Sequence, residues 1–303
     1  MYFTRTDKAT FNYSYLYKIA SLGGGPVQIV RDVDTAVSFS PDGKQIVFNH
    51  EDTGAGHSLA TMQYNAGGHA FSGLTDVVSD PASYLGWPAF TPDGAAVVYH
   101  AGSSALFETD ADGDSGVAST GDLFAVDLAT KKTARLDKLD GYSASGTYLP
   151  ASDPDLNFAP TVLPEAVGGY FWVVFTSHRS YGNTLPSKDN GDTNGKLWVA
   201  AIDVGAPAGA DPSHPAFYLD GQESSADNLR GFWVLAPCED DGETCSAGDQ
   251  CCGGYCTPGP GGVPTCSAAP SGCANEFDKC KGTGDCCSGL QCINGKCATP
   301  PPR

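Results

Sequence analysis

Residues 39–50 read FSPDGKQIVFNH, and residues 90–101 read FTPDGAAVVYHA. A chain that rewrites one turn together with its flanking strands meets the same packing problem more than once. That restricts it to architectures assembled from copies of one unit. In both copies an aromatic strand end enters Ser/Thr-Pro-Asp-Gly. Pro41 and Pro92 preset φ, Asp42 and Asp93 cap the turn through their side chains, and Gly43 and Gly94 take the left-handed position that closes a hairpin. The outgoing strands, QIVF and AVVY, are β-branched and aromatic, as buried strands are.

Each copy continues into a second hairpin, SLATMQYNAGG from Ser58 and DLFAVDLATKK from Asp122. Looser copies surround these two. YFTRTD from Tyr2 and YLYKIASLGGGPVQIV from Tyr15 make a first unit without an opening strand. NFAP from Asn157, YFWVVFTSH from Tyr170 and KLWVAAIDV from Lys196 make a last unit, in which TVLPEAVGG replaces Pro-Asp-Gly. NLRGFWVL, from Asn228, reads as one more strand. Four strands recurring every fifty residues or so match the period of a β-propeller blade, a small sheet that buries its faces only by stacking on its neighbours. The SPDGK-IVF…LY…GG pattern resembles the TolB-like β-propeller repeat over residues 1–237. The expectation is an all-β chain with about four visible four-stranded blades; a sandwich of similar strands is the alternative fold. Four blades are few for a propeller, so the sequence is expected to be N-terminally incomplete.

Gly (38) and Pro (21) outnumber Lys and Arg (17 together), which suits turns rather than long helices. The formal charge of −18 repels nucleic-acid phosphates and anionic membrane surfaces, so neither is an expected partner. No apolar run is long enough to span a bilayer. The opening MYFTRTDKATFNYSY has no apolar core of a signal peptide, again as though the leader were missing.

All twelve cysteines lie between Cys238 and Cys297. Such density in a short segment reads as a disulfide framework made in an oxidising compartment, extracellular, cell-surface or periplasmic. The frame of two single cysteines, an adjacent pair and two more occurs twice, from Cys238 to Cys266 and from Cys273 to Cys297. Six cysteines allow fifteen pairings, and spacing alone does not choose among them. The frame resembles that of the inhibitor-cystine-knot, or knottin, family. That resemblance implies Cys238–Cys252, Cys245–Cys256 and Cys251–Cys266, then Cys273–Cys287, Cys280–Cys292 and Cys286–Cys297. The expected modules span 238–268 and 269–298, with a poorly ordered tail over 299–303. Zinc is disfavoured, because neither Cys-x-x-Cys pairs nor histidines occur in the block.

In a propeller the Pro-Asp-Gly turns share one face, and the connections after IVF, VVY and VVF share the other. Two of these connections are long, one following Tyr99 and one following Phe175, and loops of that length usually carry function. Asp110, Asp112 and Asp114 in the first and Asp189, Asp192 and Asn194 in the second are candidate calcium ligands, alternating oxygens on a turning backbone. The EF-hand match is partial: Ser115 stands where glycine is needed and Gly121 at the twelfth position. GDSG at 113–116 lacks the histidine context of a serine protease. His50, His100, His178, Arg179 and Trp87 are candidate ligand contacts on the rim, although polar strand ends would place the same histidines. Trp172, Phe171, Trp198 and Trp233 read as core.

These features point to a secreted or cell-surface module that binds a protein or glycan through its acidic loop face, with knottins as a rigid accessory. A calcium-assisted, glycan-active enzyme with carboxylates on the rim, or a knottin-borne inhibitor or toxin-like effector, is the alternative. The first module holds no Lys or Arg, and the second balances Lys279, Lys281 and Lys296 against Glu276, Asp278 and Asp285. That charge pattern is unlike a basic channel plug.

Overall fold

The structure is a computed structural model that describes residues 2–6, 14–18, 28–33, 143, 146–147, 260 and 284 as backbone. It describes residues 37–49, 56–65, 68, 70–103, 120–142, 149, 153, 155–180, 195–223, 226, 228, 230–234, 239–246, 250–251, 255–259, 261–267, 273–274, 278–283, 285–287 and 290–298 more fully. Two compact units emerge. One comprises Met1–Pro164, Trp172–Ala201 and Pro207–Phe232; the other comprises Glu165–Phe171, Ile202–Ala206 and Trp233–Arg303.

The first unit is built from antiparallel sheets whose strands pair in chain order. β1 (Tyr2–Thr6), β2 (Ser14–Lys18) and β3 (Gln28–Val33) form a three-stranded sheet. β4 (Val37–Phe39), β5 (Gln45–Asn49), β6 (Ser58–Asn65) and β7 (Ala70–Ser79) form a four-stranded one, and β8 (Tyr84–Phe90), β9 (Ala96–Gly102), β10 (Gly121–Asp127) and β11 (Thr133–Arg135) repeat it. A short helix, α1 (Asp137–Asp140), and the small ladder of β12 (Tyr142–Ser143) and β13 (Gly146–Thr147) lead to the last sheet. It contains β14 (Asn157–Val162), β15 (Tyr170–Ser177), β16 (Lys196–Asp203) and β17 (Phe217–Tyr218). The opening strand β8 lies against both β4 and β14, so successive sheets meet through their first strands. These are propeller blades, numbered one to four here in chain order.

The repeated sequence builds a repeated turn. Ser40 Oγ donates to Asp42 Oδ1 (2.7 Å), which also accepts Lys44 N–H (3.0 Å), while Gln45 N–H donates to Ser40 Oγ (2.9 Å). Thr91, Asp93, Ala95 and Ala96 reproduce the set at 2.7, 3.0 and 3.0 Å. Gly43 and Gly94 sit at φ 67° and 65°, the left-handed region that costs glycine nothing. The chain returning on β6 or just past β10 also closes the same contact: Tyr64 N–H donates to Lys44 O and Leu128 N–H to Ala95 O. In blade four the remodelled turn pairs Val167 with Tyr170 across Gly168 and Gly169.

QIVF reads as unbroken apolar because β5 is buried on both faces. Ile46 and Phe48 join Ala60 and Met62 in one core cluster. Val47, pointing the other way, joins Leu59, Val77, Leu85, Phe90, Val97, Tyr99, Ala101 and Val126 of blades two and three. A sheet stacked between neighbours needs apolar residues at both parities of the strand. NLRGFWVL, in contrast, is no strand: residues 228 and 230–234 are irregular. Asn228 N–H donates to Gly195 O, and a Cβ on Gly231 would stand 2.7 Å from Val174 Cγ2. The segment therefore crosses over β15 and β16 instead of extending a sheet edge.

The second unit is held by disulfides. Cys245–Cys256, Cys251–Cys266, Cys273–Cys287, Cys280–Cys292 and Cys286–Cys297 are bonded, the same five pairs that the family frame implies. Cys238–Cys252 lies outside the described residues. Each module adds a hairpin, β18 (Tyr255–Pro258) with β19 (Pro264–Ser267), and β20 (Gln291–Ile293) with β21 (Lys296–Ala298). The residues preceding Cys245 and Cys266 bridge each other, as do those preceding Cys280 and Cys297. Sγ atoms of Cys245, Cys251 and Cys266 lie within 4.8 Å of one another, and those of Cys280, Cys286 and Cys297 do the same. Both modules thus stack two bridges at their centre. The turn of the second hairpin rests on the 202–206 segment of the same unit, Asn294 Nδ2 donating to Val204 O at 3.0 Å.

Candidate functional site

The stems of the two long acidic loops meet on one short stretch, 153–157. Ser103 N–H donates to Thr120 O (2.8 Å) and Thr120 N–H to Ser103 Oγ (2.8 Å), closing the stem between β9 and β10. A Cβ on Gly102 would stand 1.8 Å from Thr120 O, so only glycine permits that approach. Gly121 N–H then donates to Asp155 O at 2.6 Å. On the stem after β15, Ser180 donates through its N–H (2.7 Å) and its Oγ (2.8 Å) to Asp153 Oδ2. The end of the first stem and the start of the second therefore both bond the chain that enters β14.

Beneath these stems lies a buried polar network. Asp140, fully buried at the end of α1, accepts Leu123 N–H (3.0 and 3.1 Å) and Asn157 Nδ2–H (3.0 Å). Burial and the like charge of Asp122 push its carboxyl well above the usual range, against the pull of Leu123 N–H and of Arg179. Arg179, 1% exposed, donates through Nε to Ser177 Oγ (3.0 Å) and through Nη2 to Leu139 O (3.1 Å) and Asn157 Oδ1. The Asn157 amide thereby links a buried cation to a buried acid. The guanidinium also lies 5.0 Å from the Trp198 ring centre and 5.4 Å from that of Phe175.

Nearer the surface, Asp122 and Asp155 converge on one phenol. Tyr142 donates to Asp155 Oδ1 and lies 3.4 Å from Asp122 Oδ2, which also faces Arg135 Nη1 at 3.4 Å. Arg135 is shared: its Nε bonds Asp137 at 2.5 Å and its guanidinium covers the Tyr142 ring at 4.1 Å. Asp122 Oδ1 is buried and accepts no hydrogen bond from a described residue. Burial, then the charge of Asp155, raises the Asp122 pKa to about 6, with Arg135 and Tyr142 opposing. The group changes charge just below neutral pH at the foot of the loops. It can hold or release a proton there.

The sequence-predicted residues separate. Asp110, Asp112, Asp114, Asp189, Asp192, Asn194 and His50 lie outside the described residues. His100 is buried inside β9, not on a rim, and its Nδ1 accepts Ala159 N–H (3.2 Å), which puts the proton of a neutral ring on Nε2. It occupies the register position of Asn49 in blade two, whose Nδ2 donates to Leu85 O. Each side chain ties its blade to the opening strand of the next. His178 is also buried (6% exposed), and the Phe158 ring makes a T-shaped contact with each of the two imidazoles, with centroids at 5.8 and 6.0 Å. Arg179 serves the network above, not solvent. Among the rim candidates Trp87 remains half-buried, in the bulge of β8. Sequence reasoning missed Asp122, Asp140 and Asn157, whose roles depend on α1 folding back under β10. It also missed Arg230, although one signal was available: Arg230 is the lone Lys or Arg between Lys196 and Lys279.

No family model matches the chain, and no curated protein matches its sequence. Solved structures similar to it include TolB from Acinetobacter baumannii (16% identity, TM-score 0.35, 67% of this chain and 50% of that one). The β-propeller domain of the Trilobed protease from Pyrococcus furiosus is another (9%, 0.31, 69% and 52%). Oligogalacturonate lyase from Vibrio parahaemolyticus is a third (13%, 0.31, 64% and 46%). The chain spans about half the length of these structures. The propeller assignment rests on the blades themselves, their order and their repeated turns.

Proposed function

We propose that this protein is a secreted or cell-surface binding module: a TolB-like propeller that recognises a protein or glycan through the loops over 104–119 and 181–194, followed by two knottin modules that act as a rigid accessory. The observation that carries the reading is the convergence of both loop stems on 153–157, through Gly121 with Asp155 and Ser180 with Asp153. Ligand-binding loops need a stiff base, and the base here is a buried, hydrogen-bonded network between two blades. Calcium is the cofactor the reading assigns to the loops, held by Asp110, Asp112 and Asp114 and by Asp189, Asp192 and Asn194. Five disulfides among the described residues suit an oxidising compartment, and no helix among those residues is long and apolar enough to cross a membrane.

The test is a calorimetric calcium titration of the full chain, paired with a pull-down from cell-envelope and glycan fractions in calcium and in chelator. Saturable calcium binding and chelator-sensitive capture are expected, both lost in a variant with Asp110, Asp112, Asp114, Asp189 and Asp192 changed to Asn. Capture that is indifferent to that variant would overturn the loop-face assignment.

A further inference from the structure

Arg230 is an unusual cation for a chain of net charge −18. It makes no ion pair or hydrogen bond with a described residue, and its Nε is buried without an acceptor. Its guanidinium lies instead over two rings, 4.2 Å from the centre of Trp87 and 5.0 Å from that of Phe232. Burial alone lowers its pKa, to about 10, so it stays charged at neutral pH, partly stripped of water and lacking a counter-ion among the described residues. With acids outnumbering bases 35 to 17, a carboxylate partner would have been easy to supply.

The rings are held from separate parts of the unit. Trp87 sits at φ 48° in the bulge between Gly86 and Ala89, immediately before Pro88. A bulky residue in the left-handed region, restricted further by the proline that follows, is a strained placement of the kind that gathers at ligand sites. The bulge itself belongs to the fold, because Ala159 before Pro160 repeats it in β14 at φ 50°. What differs is that β8 places a tryptophan there, where β14 is content with alanine. Phe232 is 71% exposed, and the crossing segment that carries it is anchored at Asn228 and Gly231 as described above.

We propose that Trp87, Arg230 and Phe232 form a subsite for the carboxylate of a uronic acid residue in a glycan. The planar guanidinium fork matches a carboxylate bidentately, and incomplete hydration strengthens the pairing. The exposed Phe232 ring suits the apolar side of a pyranose ring, a body that a bare inorganic anion lacks. The negative field of the whole chain disfavours multiply charged phosphates and polyanions more than a single carboxylate. The subsite names a ligand class for the glycan arm of the reading above, yet uses neither acidic loop nor calcium, so the two can fail separately.

The experiment is a titration of the full chain, in chelator, with methyl glucuronide and with the neutral methyl glucoside, followed by saturation-transfer NMR and calorimetry. Saturable glucuronide binding is expected, at least tenfold tighter than the glucoside. Arg230→Gln should weaken it at least tenfold, and Arg230→Lys less, because the charge stays while the fork is lost. Phe232→Ala, at an exposed position, should weaken binding with an unchanged unfolding midpoint, and it decides the matter alone if the arginine variants do not fold. Equal binding of the two sugars, no effect of Arg230→Gln or Phe232→Ala, or no saturable binding would overturn the proposal. Preferential capture of a short peptide through its C-terminal carboxylate would also overturn it, reassigning the subsite to peptides.

Discussion

Asp122→Asn should stabilise the protein near neutral pH and leave it almost unchanged in acid. Asp122 is raised from 3.8 to about 6 in the folded state by burial and by Asp155. A carboxyl whose folded pKa exceeds its unfolded value binds more protons when folded between those two values. Its contribution to stability is therefore fully present below about pH 4 and is lost as pH rises through about 6. The shift corresponds to roughly 3 kcal/mol at most, and the side chain is only 12% exposed, so solvent screening removes little of it. Asparagine keeps the shape and the acceptor for Tyr142 and Arg135 but cannot ionise. The assay is urea unfolding at intervals from pH 4 to pH 8, followed by tryptophan fluorescence, which reports on Trp198 beside the buried network. Any constant offset from the weakened Arg135 contact cancels when the variant-minus-native difference is plotted against pH. That difference should climb across the window by about 2–3 kcal/mol in favour of asparagine. A flat difference, or one that moves toward the native protein as pH rises, would refute the assignment of a buried, proton-holding Asp122.

Gly94→Ala should destabilise the first unit by about 1 kcal/mol, because φ is 65° and no atom crowds the new Cβ, leaving only backbone strain; Gly43→Ala should match it in the same urea titration. Phe158→Ala should cost about 3–5 kcal/mol, since the ring is 1% exposed and contacts both His100 and His178; thermal unfolding measures it. Replacing Cys280 and Cys292 together by Ser removes a bridge with sequence separation 12 and should lower stability of the second unit by about 2–4 kcal/mol, read as faster proteolysis at 278–298.

Much of the architecture was legible because its determinants are local. Ser/Thr-Pro-Asp-Gly specifies a hairpin through contacts within five residues, and the structure draws the same hydrogen bonds twice, from Ser40 and from Thr91. The β-branched and aromatic residues of QIVF already declared a buried strand, and the packing of its neighbours covers both faces. The cysteine frame, through its family likeness, carried the pairing of all five described bridges. NLRGFWVL shows the limit of such reading: its composition suits a strand, but no neighbouring edge receives it.

The site was far less legible. His50 and His100 both close their strands, yet the register equates His100 with Asn49, because His100 directly follows the last strand aromatic, Tyr99, as Asn49 follows Phe48, and His50 stands one residue further on. Asp122, Asp140, Asn157 and Arg179 form one network only after α1 folds beneath β10 and the 153–157 stretch enters β14. Trp87 and Arg230 are far apart in the chain and meet across two blades. By itself, then, the sequence determined the repeating unit, its turns and the strand pattern, since these depend on residues in immediate succession. Tertiary structure alone decided which polar side chains are buried together and that Arg230 meets no acid among the described residues, because blade packing sets those distances and no local rule encodes them.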